Sequence, residues 1–483
     1  MSLKIGLSKI DFTPPAPVSL SGQFRLRVSE GVESPLMAKV FAAEANGEQL
    51  IICACDLGGV INEFCNDVRR KVSELCSDID TDKIIISATH IHTGPDTYPK
   101  RPLGFIEQKY LPDGVHVVAN EEIPPEMWDG NKCRDYVSTC AAKAIVDAWK
   151  KRDECYFGAA FGRAVVGHCR RAIYDDGSAL LFGRSQRPDF FDIEATNDSG
   201  VELLYVFDKN KRPIGALANV ACPAQVVEDM KVMSSDYWGK VRDWVHRELG
   251  DDFVLVGLCS AAGDQCPVEL VRRQRGTDPY YRRSDSYQME NQFEGAYEIG
   301  KRLGREIVER IPEAEAIMKN DALIINETVN IDFPLRRVSE AEYEEALAKL
   351  RAKVETFGTK AITPGQMSDI YIYAGSIKRY FVQKETNSVR GRVHIARFDD
   401  IAFASNPFEL FIAFGNRIRA MSPAAQTFLI QLADGTLGYL PTKRAQEGGH
   451  YSAYVSSGNT DYEGGNLLVY KTIDTIMKMW DNK

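Results

Sequence analysis

The feature that most constrains this chain is its regular exchange of short β-branched runs with stretches of helical period. Strand-like runs cover Leu50 to Cys55, Lys83 to Ala88, Glu202 to Phe207, Ile214 to Ala221, Phe253 to Leu258, Ala322 to Phe333 and Ile401 to Ala404. Helix-like runs cover Asn62 to Leu75, Asp135 to Lys150, Tyr237 to Glu248, Tyr297 to Arg310, Glu340 to Phe357 and Leu410 to Ala420. On the helix from Tyr237, the spacing of Val241, Trp244 and Val245 turns one apolar face toward a sheet. The pattern predicts an α/β fold, a large mixed-sheet catalytic domain with flanking helices. No repeat and no Gly/Ser-rich linker divides the 483 residues. The chain therefore reads as one unit, 1–483, with a charged helical insertion at about 336–384 whose charges form a solvated face.

Charge and cysteine usage exclude several function classes. A net charge of -9, with no Lys/Arg run of five or more, argues against nucleic acid or an anionic membrane as the main partner. No stretch approaches the roughly 18 uninterrupted apolar residues of a membrane span, so no stable membrane insertion is expected. The start, Met-Ser-Leu-Lys-Ile-Gly, alternates like a strand and lacks the apolar core of a signal peptide. Eleven cysteines at irregular spacing, with no C-x-x-C pair, read as reduced thiols and point to a cytoplasmic protein. Oligomeric state is not readable from the sequence.

Five segments place polar residues just after an apolar strand. After Ile84-Ile85-Ile86 comes Thr89-His90-Ile91-His92-Thr93-Gly94-Pro95. Residues i and i+2 of a strand share a face, so both imidazoles are expected in one pocket, as metal ligand, acid/base or anion-stabilising group. Gly167-His168-Cys169-Arg170-Arg171 offers paired guanidiniums for a carboxylate or phosphate, or ordinary salt bridges. Cys222, stopped by Pro223, is either a thiolate ligand or a small buried hydrophobe. Gly263-Asp264-Gln265-Cys266-Pro267 presents a turn and a thiol to a substrate. Glu409, expected in the first turn of a helix, either binds a metal or complements the helix dipole.

In their order and spacing these motifs resemble the neutral/alkaline, non-lysosomal ceramidase family over most of the chain. Gly6-Leu-Ser-Lys-Ile-Asp11-Phe-Thr-Pro14 is similar to that family's G-x-x-x-x-D-I-T-P, and Ala88-Thr-His90-Ile-His92-Thr-Gly-Pro95 to its A-T-H-T-H-S-G-P. Ser235-Asp236-Tyr237-Trp238-Gly239 resembles S-x-D-x-x-G, and Asn406-Pro407-Phe408-Glu409 stands for P-G-E before a helix. Gly438-Tyr439-Leu-Pro-Thr442 stands for G-Y-V-T-T, with Tyr451 matching the tyrosine of Y-E-G.

The resemblance implies a ceramidase-like zinc amidohydrolase in which metal-activated water attacks an N-acyl bond of a small molecule. His90, Glu409 and Tyr439 would be zinc ligands, and His92, Arg170 and Tyr451 would surround the tetrahedral oxyanion. Where the family has a histidine ligand the chain has Cys222, which implies a His-Cys-Glu-Tyr site with His168 as the alternative imidazole. Cys266 replaces a serine and is a candidate nucleophile, while Arg171, Gly263, Asp264 and Gln265 are candidate substrate-binding residues. The chain ends at Lys483 without room for the family's C-terminal immunoglobulin-like domain, an expectation that points away from a sphingolipid. Two alternatives stand beside the zinc enzyme: a metal-free cysteine hydrolase using Cys266 or Cys222, and a non-catalytic small-molecule-binding protein.

Overall fold

In the computed structural model, which describes residues 3–98, 107–275 and 292–481, the strands are shared among several mixed sheets. The first contains β1 (Lys4–Asp11), β2 (Met37–Ala45) and β3 (Glu48–Cys55), then α1 (Asn62–Leu75) and β4 (Ile84–Ala88). β1–β2 and β2–β3 are antiparallel and β3–β4 is parallel. α2 (Gly130–Lys150) packs on its outer face. The second contains β5 (Tyr156–Arg163), β6 (Gly200–Phe207) and β7 (Pro213–Val220), then α3 (Asp236–Leu249) and β8 (Val254–Cys259), and α4 (Gln292–Glu309) follows. The third contains β9 (Ile324–Pro334), α5 (Glu340–Thr356), α6 (Pro364–Glu385), β10 (Ser388–Phe398), β11 (Ile401–Ser405), α7 (Ile412–Met421) and β12 (Gln426–Ile430). α8 (Tyr462–Asp481) closes the chain.

One topology thus occurs three times, although no repeat is visible in the sequence. Each sheet runs antiparallel, antiparallel, then crosses through a helix to a parallel edge strand. Connection length dictates this. Asn46 and Gly47, both at positive φ, make the two-residue hairpin between β2 and β3, whereas a parallel neighbour needs a crossover long enough to hold a helix.

Alternation then divides the side chains between two cores. In β2, Phe41, Ala43 and Ala45 point to a central core that also receives Ile85, Leu217, Val256, Phe403 and Phe428 from the three sheets. Ala38, Val40 and Ala42 point outward to the helices. The buried Asn219 amide joins sheets two and three, donating to Leu429 O at 2.7 Å and accepting from Leu429 N–H at 3.1 Å. Ala88 N–H donates to Leu432 O at 3.2 Å, tying sheet one to the third. The carboxyl ends of the three parallel pairs therefore meet, the position where α/β sheets hold ligands.

The charged stretch forms α5 and α6, inserted between β9 and β10. Ser339 with Glu342, and Thr363 with Gln366, close capping boxes at their N-termini. Leu350, Ile362, Met367 and Ile370 pack against Tyr110, Leu111 and Val115 as a separate small core. Among the described residues, no helix is long and apolar enough to cross a membrane.

Candidate active site

His90 and His92 share a pocket, but not through strand alternation. β4 stops at Ala88, and His90 takes a left-handed φ of 62°. Ile91 is fully buried and its N–H donates to Leu57 O at 3.2 Å. The turn leaves the two rings edge to face, 5.0 Å apart. His90 Nδ1 lies 2.5 Å from Gly58 O, so this nitrogen carries the proton. His90 Nε2 then faces Glu409 Oε2 at 3.3 Å. A ring lone pair and a carboxylate lone pair repel at that distance unless a proton or a cation lies between them.

Glu409 is not in a helical first turn, which corrects the sequence expectation. Its N–H donates to Gly438 O at 3.0 Å, Glu409–Leu410 pairs in parallel with Tyr439–Leu440, and Phe411 remains extended before α7 starts at Ile412. That pairing sets the two candidate ligands side by side. Burial would raise the Glu409 carboxyl, but His90, Arg170 and the Tyr439 hydroxyl hold it below the usual range. Burial and the nearby Glu409 charge keep Tyr439 well above the usual phenol range, so it is a neutral donor here.

Arg170 completes the cluster. The antiparallel ladder of His168–Cys169 with Gln265–Cys266 carries it to the site. Its Nη2 donates to Gly263 O at 2.9 Å and to Tyr439 Oη at 3.2 Å, and Tyr451 Oη stands 3.5 Å from Tyr439 Oη. Arg170 Nε is buried without a hydrogen-bond partner among the described residues. A guanidinium and two phenols therefore converge beside the His90–Glu409 pair. A cavity of about 510 Å³ opens over His90, His92, Glu409, Tyr439 and Tyr451, with Phe24 and Tyr371 in its wall. That volume suits a small molecule.

Other predicted residues serve the framework. Arg171 is fully buried. Its Nε bonds both Glu194 oxygens at 2.9 Å, and its Nη atoms hold Tyr451 O and Gly449 O at 2.8 Å, so it fixes the loop of Tyr451 and does not face the cavity. Asp264 accepts from Ile412 N–H at 3.0 Å, with its carboxyl pushed up to about 6 by burial. Gln265 Nε2 donates to Thr196 O at 3.2 Å. Cys266 Sγ donates to Val268 O at 3.4 Å, and burial pushes its pKa up to about 12, the reverse of an activated nucleophile. Cys222 turns its thiol to Pro223 O at 3.4 Å, and burial raises it well above the usual range. His168 lies opposite Cys266 on the ladder.

Two site residues had no motif to announce them. Glu228 Oε2 lies 2.9 Å from His92 Nδ1. Burial pushes the Glu228 carboxyl up to about 7, against the lowering pull of Arg170 and Arg27. Burial and the His90 ring lower His92 well below the usual imidazole range, leaving it neutral. Arg27, 1% exposed, donates to Ser21 O and His92 O at 2.5 and 2.6 Å and to Met230 O at 3.0 Å, and also to Glu228 O. The available sequence signal was a carboxylate directly after the apolar pair Val226-Val227.

Among the described residues, no three His, Cys, Asp or Glu side chains gather as a metal-binding group. His90 and Glu409 do approach, with Tyr439 as a third donor outside those residue types. Their 3.3 Å separation matches the edge of a tetrahedron with metal–ligand bonds of about 2.0–2.1 Å. The Nδ1–H bond to Gly58 O is the outer-shell contact that orients a ligating imidazole. The spacing of His90 Nε2 and Glu409 Oε2 thus suits a zinc ion, with Tyr439 paired beside Glu409, and Cys222 and His168 do not join them in a single cluster.

No family model and no curated sequence matches the chain. Solved structures do. The crystal structure of neutral ceramidase from Pseudomonas aeruginosa superposes with a TM-score of 0.70 at 16% identity, covering 99% of this chain and 74% of that one. A ceramidase complexed with C2 gives a TM-score of 0.69 at 15% identity, covering 100% and 76%. The chain has the neutral-ceramidase fold.

Proposed function

We propose that this protein hydrolyses the amide bond of a small N-acyl compound, with zinc held by His90, Glu409 and Tyr439. The observation that carries this reading is the His90 Nε2–Glu409 Oε2 pair at 3.3 Å, with Nδ1 tied to Gly58 O. The ceramidase fold adds the reaction class, since ceramide is an N-acyl compound. Zinc in such a site supplies Lewis-acid polarisation of the scissile carbonyl and a more acidic water.

The protein's own groups account for the remainder. As the acyl carbon becomes tetrahedral its oxygen gains charge, and Arg170 with the Tyr451 hydroxyl offers preorganised donors near that position. The buried setting strengthens each of these contacts relative to water. Phe24 and Tyr371 give the cavity an aromatic wall suited to an acyl chain, within a volume of about 510 Å³.

Elemental analysis of protein purified without a metal-affinity column, beside a panel of N-acyl substrates, tests this reading. The expected result is about one zinc per chain and turnover of at least one amide, both lost in Glu409→Gln. A zinc-free, inactive wild type overturns it.

A further inference from the structure

We propose that the helical insertion selects the substrate: Lys378 and Arg379 of α6 give the cavity a cationic stretch of wall, where Lys378 binds a carboxylate carried by the amide. The inference rests on the hydrolase reading above and deepens it by naming the substrate class.

α6 reaches the site directly. Tyr371, Ala374, Lys378 and Val382, at helical spacing along one face, lie in the cavity wall with Gly375 and Arg379 beside them. The chain just beyond Tyr451 holds the helix there. Tyr371 Oη donates to Ser456 O at 2.5 Å, and a Cβ at Gly375 would stand 2.2 Å from Ser456 Cβ, an approach that only a residue without a side chain allows.

Charge in this part of the wall is not balanced. Arg379, 8% exposed, directs its Nη atoms to the oxygens of neutral groups: Arg336 O at 3.1 Å, Asn459 O at 2.8 Å, Gly458 O at 2.9 Å and Asn459 Oδ1 at 3.0 Å. Among the described residues no carboxylate lies within ion-pair distance of it, although a buried charge is ordinarily paired. Arg336, whose Nη1 donates to Ala453 O at 2.7 Å, adds a second cation nearby. Burial and that neighbour lower Arg379 to about 10, which leaves it cationic at neutral pH. Lys378 Nζ lies 3.3 Å from Glu107 Oε1, but Glu107 Oε2 also holds Lys109 Nζ at 3.0 Å, so one carboxylate faces two ammonium groups. The other carboxylates of the wall are engaged: Glu409 faces His90, and Asp96, 4% exposed, accepts Tyr98 N–H at 3.0 Å. An anion beside α6 therefore meets net positive charge, and Lys378, its side chain 44% exposed, is accessible to it. A hydrocarbon or an alcohol gains nothing comparable there. Two kinds of amide supply the carboxylate: an N-acyl amino acid, which carries it on the amine part, and the half-amide of a dicarboxylic acid, which carries it on the acyl part.

The test measures kcat/KM for two matched pairs in the wild type, Lys378→Gln and Lys378→Arg: N-hexanoylglycine against N-hexanoylethanolamine, and the mono-N-ethylamide of glutaric acid against N-ethylpentanamide. In one pair the wild type is expected to prefer the carboxylate by about 10-fold or more. Lys378→Gln is expected to reduce that preference by about 3–10-fold, chiefly through KM, and Lys378→Arg to retain it. The pair that shows the preference identifies the part of the substrate that carries the charge. Neutral compounds cleaved as well as their carboxylate partners in both pairs, or an unchanged preference in Lys378→Gln, overturns the proposal. If none of the four compounds is cleaved, the hydrolase reading fails and calorimetric binding of the same compounds decides the subsite: tighter binding of a carboxylate, weakened in Lys378→Gln, upholds it, and equal binding or none overturns it.

Discussion

Gly263 lies directly against Glu409: a Cβ at position 263 would stand 2.2 Å from the Glu409 carbonyl oxygen and 2.7 Å from its carbonyl carbon. The loop after β8 and the loop after β11 approach so closely that only glycine fits, and the Glu409 carboxylate takes its place from that contact. Gly263 N–H also donates to Leu410 O at 2.8 Å.

Gly263→Ala is accordingly expected to push the Glu409 segment away from His90. Neither obstructing atom belongs to a flexible side chain, so the cost in stability is about 1–3 kcal/mol. Urea denaturation reads that cost, and zinc content with turnover is expected to fall further than the stability loss alone explains.

Asp434 is a buried hub for Arg69 and for His394, whose Nε2 lies 3.1 Å away. Burial alone would raise its carboxyl, but Arg69 and His394 hold it down to about 2, from 3.8. The native state thus binds fewer protons than the unfolded chain between those values. The contribution, about 2–3 kcal/mol, is complete above pH 3.8 and disappears as pH falls toward 2. Asp434→Asn is expected to cost about 3–5 kcal/mol at neutral pH and to flatten the acid limb, measured as denaturation midpoint against pH.

Arg171 and Glu194 form a buried pair, 0% and 3% exposed, that carries the loop of Tyr451. Arg171→Met strands the carboxylate and is expected to lose about 3–5 kcal/mol. Adding Glu194→Leu is expected to recover stability without recovering turnover, because the bonds to Tyr451 O and Gly449 O are still absent. A thermal melt beside an activity assay separates the two effects.

The Cys266 thiol is held protonated and directed to Val268 O. Cys266→Ser is expected to retain turnover, and iodoacetamide to leave the wild type active. Loss of activity in both measurements would favour the thiol mechanism. Cys222→His, by contrast, is expected to tighten zinc binding in a chelator competition, since imidazole reaches farther than a thiol already turned to Pro223 O.

Part of the site was legible because its members follow apolar strands: His90, His92, Arg170 and Glu409 were singled out there, Tyr439 and Tyr451 only through the family resemblance, and the six lie together. The reasons were less legible than the residues. The two histidines meet through a left-handed turn at His90, and Glu409 sits in a two-residue ladder, because backbone hydrogen bonds donated to Leu57 O and Gly438 O override the local periodicity. Arg170 and Arg171 are adjacent and chemically identical, yet opposite sides of one extended segment send the first to Tyr439 and the second to Glu194.

Local patterning alone determined the elements: β-branched runs made strands, amphipathic spacing made helices, and Asn46-Gly47, Ser339 and Thr363 marked a turn and two helix starts. These depend on interactions within a few residues and so are written in order along the chain. Tertiary structure alone decided that the parallel ends of the three sheets would converge and that Glu228 would meet His92 across 136 positions. Those outcomes depend on which apolar faces bury one another, a choice made by the summed packing of the central core rather than by any segment.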